Sequence, residues 1–124
     1  MNPPIGFVRL HLDAAGESHM RPGEVLLEPA EFAPPAEPMD ISPLEPAVGW
    51  RYLRLPSRWV GDWHPTPNRI WIFCLRGRME FKASDGAAHL VEPGSTMLLE
   101  DTSGRGHHSR VLGDSDVLLV AVQL

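Results

Sequence analysis

The sequence is poor in lysine and cysteine and has no long hydrophobic run. Lys82 stands alone beside ten arginines, and a net charge of −5 provides no basic surface for nucleic acid. Cys74 is the single cysteine, so no internal disulfide can form and a reducing compartment fits. No apolar stretch approaches the roughly 18 residues of a membrane span, and the N-terminus lacks a signal-peptide pattern. These absences predict a cytoplasmic protein without nucleic-acid or membrane partners.

Common catalytic motifs are missing as well. No serine, histidine and carboxylate stand at a recognisable hydrolase spacing. No glycine-rich phosphate loop follows a strand into a helix, so the nucleotide-binding motifs are absent. The sequence therefore leaves open whether the chain is an enzyme.

Proline is concentrated in the first half of the chain. Twelve of the 13 prolines precede residue 68. Residues 28–49 hold too many prolines for a long helix and too many apolar residues, such as Phe32 and Leu44, for a free linker. A chain of this length falls in the usual range for one domain. We predict a single domain, 1–124, with N-terminal strands and a proline-rich arm in 1–49 and a barrel in 50–124.

The pattern after the arm is that of short strands separated by turns. Apolar runs are interrupted at Arg76-Gly77, Asp85-Gly86 and Pro93-Gly94. Asp-Gly between alternating runs is a strong hairpin signal, and we expect hairpins at the first two positions. No stretch keeps a helical period over three turns. The pattern predicts an all-β sandwich or barrel.

The strand predicted in RIWIFCLR, residues 69–76, is apolar on both faces. Side chains alternate along a strand, so Ile70 and Ile72 share one face and Trp71 and Phe73 the other. One face would line the barrel interior, and the other must meet the arm, a second sheet or another subunit. The C-terminal run VLLVAVQL repeats the pattern. Because a bare apolar strand at a chain end promotes aggregation, we predict a homodimer.

The part of the chain from Gly61 to Leu124 resembles a small single-domain cupin. The first half of the family pattern is G-x5-H-x-H-x3,4-E-x6-G. With Gly77 as its last glycine, His64 takes the first histidine position. Thr66 stands at the second histidine position and Ile70 at that of the glutamate. The resemblance implies a double-stranded β-helix of jelly-roll type, in which these positions face the interior.

The second half of the family pattern is G-x5-P-x-G-x2-H-x3-N. Gly94 matches its first glycine, and Glu100 takes the proline position. The following loop is two residues longer, so either His107 or His108 takes the histidine position. These two residues are adjacent on a predicted strand, so only one can face the interior. The resemblance implies one divalent metal, Zn, Fe, Mn or Ni.

Three interpretations are compatible with this incomplete ligand set. The leading interpretation is a barrel that binds a small molecule, with a weak or absent metal site, because two imidazoles alone bind metal weakly. Its cavity would be lined by His64, Thr66, Ile70, Glu100 and His107. The alternative is a metal-dependent enzyme of oxygenase or isomerase type, with His64, His107 and Glu100 as ligands. A third interpretation is a structural dimer whose barrel is filled.

The segment EDTSG, residues 100–104, has the composition of a turn. We interpret Asp101 as a turn residue whose side chain bonds its own backbone. Glu100 follows an apolar strand, and a half-buried carboxylate there needs a partner. Arg69, Arg105 or a histidine are the candidates.

Overall fold

The structure, a computed structural model, describes residues 3–124 as an all-β chain. Its strands are β1 (Ile5–Leu12), β2 (Ser18–Val25), β3 (Glu28–Ala30), β4 (Met39–Ile41), β5 (Gly49–Leu55), β6 (Val60–His64), β7 (Ile70–Arg76), β8 (Arg78–Ala83), β9 (Ala88–Val91), β10 (Thr96–Leu99), β11 (His107–Leu112) and β12 (Val117–Gln123). The all-β prediction is confirmed. Within the described range, no helix is long and apolar enough to cross a membrane.

Two larger sheets face each other and enclose the core. One has the strand order β2-β1-β10-β7-β12-β5 and the other the order β6-β11-β8-β9. From β5 to β12 the chain passes from one sheet to the other at nearly every connection, which is the topology of a jelly-roll double-stranded β-helix. β1 runs parallel to β10. This pairing joins the N-terminal strands to the barrel that the sequence analysis placed in residues 50–124.

The alternation predicted for β7 is present. Ile72 and Cys74 lie in the core with 2% and 3% of their surface exposed, whereas Phe73 and Leu75 on the other face are 37% and 51% exposed. The core combines side chains from both sheets, such as Phe81 from β8. Burial raises the pKa of the Cys74 thiol, as expected for a packed, unreactive cysteine.

The two predicted hairpins had different outcomes. The hairpin at Asp85-Gly86 is confirmed, because β8 and β9 pair antiparallel. The hairpin at Arg76-Gly77 is wrong, because β7 and β8 belong to different sheets. Gly77 has a φ of +84°, and any side chain there would collide with the carbonyl of Asp116. This glycine therefore makes the corner that carries the chain between the sheets.

The outer face of β7 is partly covered by residues 28–49. That segment contains the small β3–β4 hairpin, and a groove of about 730 Å³ separates it from the six-stranded sheet. Phe32 and Phe73 are among the apolar residues of the groove. The indole N–H of Trp71 donates to Oε2 of Glu45 at 3.2 Å. The homodimer stays a prediction, and the mass of the protein in solution would test it.

An ion-paired cluster joins the β1–β2 turn to the β8–β9 turn. Nε2 of His19 lies 2.7 Å from Oδ2 of Asp13, and its Nδ1 lies 2.8 Å from Oδ2 of Asp85. The hydrogen bond to Asp13, followed by that to Asp85, raises the pKa of His19. The same bond to His19 is the main cause that lowers the pKa of Asp13. The charged forms of both groups therefore stabilise the folded state.

The substitution His19→Gln is expected to lower the thermal unfolding midpoint most near about pH 5–6. Because the pKa of His19 is raised, its contribution is complete below the unfolded pKa of about 6.5 and is lost as the pH rises through the folded pKa. The lowered pKa of Asp13 makes its contribution disappear as the pH falls below about 3.9. Circular dichroism melts across this range would measure the difference.

The neighbouring His11 supplies the control for this prediction. Its ring centroid is 5.7 Å from that of His19, but it has no hydrogen bond to a carboxylate among the described residues. His11→Gln should therefore shift the midpoint less than His19→Gln. A loss in His19→Gln that is the same at every pH would contradict the assignment.

Candidate functional site

A cavity of about 390 Å³ lies between the two sheets. Its volume is within the range of roughly 300–1,000 Å³ that small-molecule sites occupy. Most of the wall is apolar and includes Leu55, Ile72, Met79, Phe81 and Leu119. The barrel is therefore not filled by its own side chains. The interpretation as a purely structural dimer would require a filled barrel.

Four of the five predicted pocket residues line this cavity: His64, Thr66, Ile70 and His107. β6 and β11 are antiparallel neighbours, and His64 lies directly opposite His107. Side chains of directly opposed residues share a face of the sheet. The two imidazole centroids are accordingly 4.9 Å apart. Together with Thr66 and Ser109, the pair contributes polar groups to a mainly apolar cavity.

His108 lies on the opposite face of β11. Its ring contacts that of Trp63, with centroids 5.6 Å apart, and it does not line the cavity. His107 is buried with 3% of its surface exposed and also contacts the ring of Phe81 at 5.3 Å. Of the two candidates in the sequence, His107 is the one that faces the interior.

Glu100 does not join the other predicted residues. Leu99 lines the cavity, and the alternation of a strand turns the following residue outward. Oε1 of Glu100 accepts a hydrogen bond from Arg9 at 2.6 Å, and Oε2 accepts one from Arg69 at 2.8 Å. Partial burial acts to raise the pKa of Glu100, but the two arginines outweigh it and lower that pKa. The expectation of Arg69 as a partner is confirmed.

Asp101 belongs to the candidate site, although its sequence context did not predict this. It is fully buried, and the prediction that its side chain bonds its own backbone is wrong. Oδ2 accepts a hydrogen bond from Nδ1 of His107 at 2.7 Å, and Oδ1 accepts one from the Thr66 hydroxyl at 2.8 Å. The Thr66 amide also donates to the Asp101 carbonyl at 2.9 Å. No spacing rule links these three positions, so only the folded chain reveals them.

Both cavity histidines have their Nδ1 atoms engaged. Nδ1 of His64 is 2.8 Å from the carbonyl of Pro65, and that of His107 is bonded to the Asp101 carboxylate. Both partners are acceptors, so each neutral ring carries its proton on Nδ1. Neither Nε2 has a protein partner among residues 3–124. Two lone pairs are thus available at one end of the cavity.

The divalent metal implied by the cupin resemblance does not fit the donor set. The two histidines supply two nitrogen ligands, while Ile70 stands where the pattern has a carboxylate and Glu100 is held by two arginines. In the described part of the chain, no three His, Cys, Asp or Glu side chains are grouped to hold a metal ion. Metal sites of zinc type use about three or four protein ligands. The side chains at this end of the cavity therefore fall short of the metal site in the family pattern.

Comparison with known proteins finds similarity among solved structures. The chain is similar to a cupin domain from Bordetella pertussis Tohama I, with 12% identity, a TM-score of 0.47, and coverage of 80% of this chain and 93% of that chain. It is also similar to the Schizosaccharomyces pombe Cnp3 cupin domain, with 11% identity, a TM-score of 0.46, and coverage of 98% and 84%. A third similar structure is a predicted oxalate decarboxylase from Thermotoga maritima, with 17% identity, a TM-score of 0.45, and coverage of 81% and 93%. No protein-family model and no curated protein matches the chain.

The fold of this chain is defined by its own strand order, which is that of a jelly-roll double-stranded β-helix. The class of molecule is therefore a small barrel with an apolar cavity and a histidine pair at one end. The same barrel fold hosts many activities, so function has to be argued from the cavity.

Proposed function

We propose that the barrel binds a compact, largely apolar organic molecule that offers a hydrogen-bond donor to the histidine pair. The observation that carries the proposal is the free Nε2 of His107 in an apolar cavity of about 390 Å³. Apolar walls bind the body of such a ligand, and a few well-placed polar atoms set its orientation. Because both Nε2 atoms are acceptors in the neutral rings, the matching ligand atom is an N–H or O–H.

The geometry of the polar end supports orientation as its role. The carboxylate of Asp101 accepts from Nδ1 of His107 and fixes its ring, and the hydroxyl of Thr66 holds that carboxylate in turn. A side chain that is fixed before binding loses little conformational entropy when the ligand arrives. Buried side-chain nitrogen and oxygen atoms in the described residues all have hydrogen-bond partners. The acceptor nitrogen of His107 is therefore held in position before a ligand binds.

An isosteric pair of probes tests the proposal. Indole has an N–H where benzofuran has an oxygen, so indole should bind roughly twofold to tenfold more tightly, the effect of a hydrogen bond worth about 0.5–1.5 kcal/mol. NMR titration of each probe into the purified protein would measure both dissociation constants. Equal affinity for the two probes would contradict donor recognition by the histidines.

A blocking variant tests the location. Leu53 is half-buried and lines the cavity, so Leu53→Trp should fill part of the space and weaken the binding of both probes. Leu90 on β9 is 39% exposed and does not line the cavity, which makes Leu90→Trp the matched control. Binding that survives Leu53→Trp unchanged, or no saturable binding to the wild type, would overturn the cavity assignment.

A further inference from the structure

We propose that this cavity catalyses proton transfer, with Nε2 of His107 as the general base that removes a proton from a compact, apolar carbon acid. The inference rests on the proposed function, since the same cavity must first bind the substrate. The inference goes beyond binding because it assigns a class of reaction, proton transfer from carbon, to the same cavity. The balance of the step is simple: the C–H proton moves to Nε2, and the electron pair passes to an adjacent carbonyl or into a leaving group. Isomerisation or elimination results, and no oxidant or reductant is needed.

The hydrogen bonds from His107 to Asp101 and from Thr66 to Asp101 orient the His107 ring as a general base requires. The side chain of Asp101 has no exposed surface and that of His107 only 4%. The carboxylate accepts from Nδ1 at 2.7 Å, which places the ring proton on Nδ1 and leaves the Nε2 lone pair facing the cavity. The Thr66 hydroxyl occupies the second carboxylate oxygen at 2.8 Å and prevents its rotation. Asp101 and Thr66 act as positioning residues.

The buried negative charge of Asp101 supports the role of His107 as a base. Asp101 has no arginine or lysine within ion-pair distance among the described residues, and His107 is its single ionisable partner. When Nε2 accepts a proton, the imidazolium that forms lies beside this buried carboxylate, which stabilises it. Both side chains are almost completely buried, which strengthens that attraction.

The probe for this reaction is 5-nitrobenzisoxazole, a flat aromatic carbon acid. A base removes the proton on its C3, the N–O bond breaks, and a coloured nitrile phenolate forms without any other reagent. The wild type should accelerate this elimination, and His107→Gln should lower kcat/KM by roughly 100-fold or more, the usual contribution of a general base. His108→Gln changes the next residue on the outward face and should leave kcat/KM unchanged.

Asp101→Asn tests the positioning role separately. Asparagine has the same shape, can still accept from Thr66, and would donate its amide N–H to Nδ1 of His107. The ring proton would then sit on Nε2, which could no longer act as a base. We expect kcat to fall by roughly 100-fold while KM stays near that of the wild type. Asp85→Asn alters another Asp–His pair outside the cavity and should leave kcat and KM unchanged.

A non-reactive isostere separates failure of the reaction from failure of binding. 5-Nitroindole has the same shape and should quench the fluorescence of Trp59, which lines the cavity. If it binds but the wild type does not accelerate elimination, proton transfer is wrong and the binding proposal stands. If it does not bind, both proposals fail. Full activity in His107→Gln, or in Asp101→Asn, would also overturn the assignment, and activity lost only in His64→Gln would transfer the base to His64.

Discussion

Gly106→Ala is expected to lower the free energy of unfolding by about 2–5 kcal/mol and to separate the two cavity histidines. Gly106 has a φ of +71°, where an L-residue costs about 1–2 kcal/mol. An added Cβ would also overlap the carbonyl group of His64 and the nitrogen of Pro65. Relief of such overpacking costs about 1–3 kcal/mol. The movement that relieves it pushes β6 away from β11, and with it His64 away from His107.

Gly113→Ala provides the matched control. Gly113 has a φ of +75°, but a Cβ added at this position would meet no neighbouring atom within 4 Å. It therefore carries the backbone strain without the collision. Urea unfolding should show a clearly smaller loss for Gly113→Ala, and indole binding should weaken only in Gly106→Ala. Equal losses in the two variants would show that the contact with His64 does not matter.

Asp101→Ala is the second change with a large expected effect. It removes both acceptors of the buried network, so Nδ1 of His107 and the hydroxyl of Thr66 lose their partners. A buried donor left unsatisfied costs about 1–3 kcal/mol. We expect the free energy of unfolding to fall by about 2–6 kcal/mol, measured by denaturant titration.

Thr66→Val separates the two hydrogen bonds. It removes the hydroxyl at nearly constant volume and leaves the bond between Asp101 and His107 intact, so its cost should be nearer to about 1–3 kcal/mol. The double variant Asp101→Ala with Thr66→Val should cost less than the sum of the two single changes, because the residues share one interaction. Strict additivity would show that the network contributes nothing as a unit.

The bounds of two strands, β2 and β6, could not be predicted from the sequence, and the reasons can be identified. β2 contains Pro22 and Gly23, which are poor strand residues, and it is tolerated because it lies at the edge of the six-stranded sheet, where an unpaired backbone position costs little. β6 has the sequence VGDWH, with Gly61 and Asp62 inside it. Its strand conformation comes from pairing with β11. The local sequence does not predict this pairing.

The sequence by itself determined the all-β class and the faces of its apolar strands. The two-residue period of a strand is local, so the burial of Ile72 could be read directly. The hairpin at Asp85-Gly86 was equally readable, since its turn chemistry is contained in two residues. His64, one of the predicted pocket residues, lies in the wall of the cavity.

Only the tertiary structure decided which polar groups work together. Asp101 meets Thr66 across 35 positions and His107 across a glycine-containing loop, while Glu100, its neighbour in the chain, points outward to Arg9 and Arg69. Both carboxylates follow β10, but the chain there directs the Glu100 side chain outward to the arginines and the Asp101 side chain inward to Thr66 and His107. A hydrogen bond depends on distances of a few tenths of an ångström, and those are set by how the two sheets close, which no local pattern of residues contains.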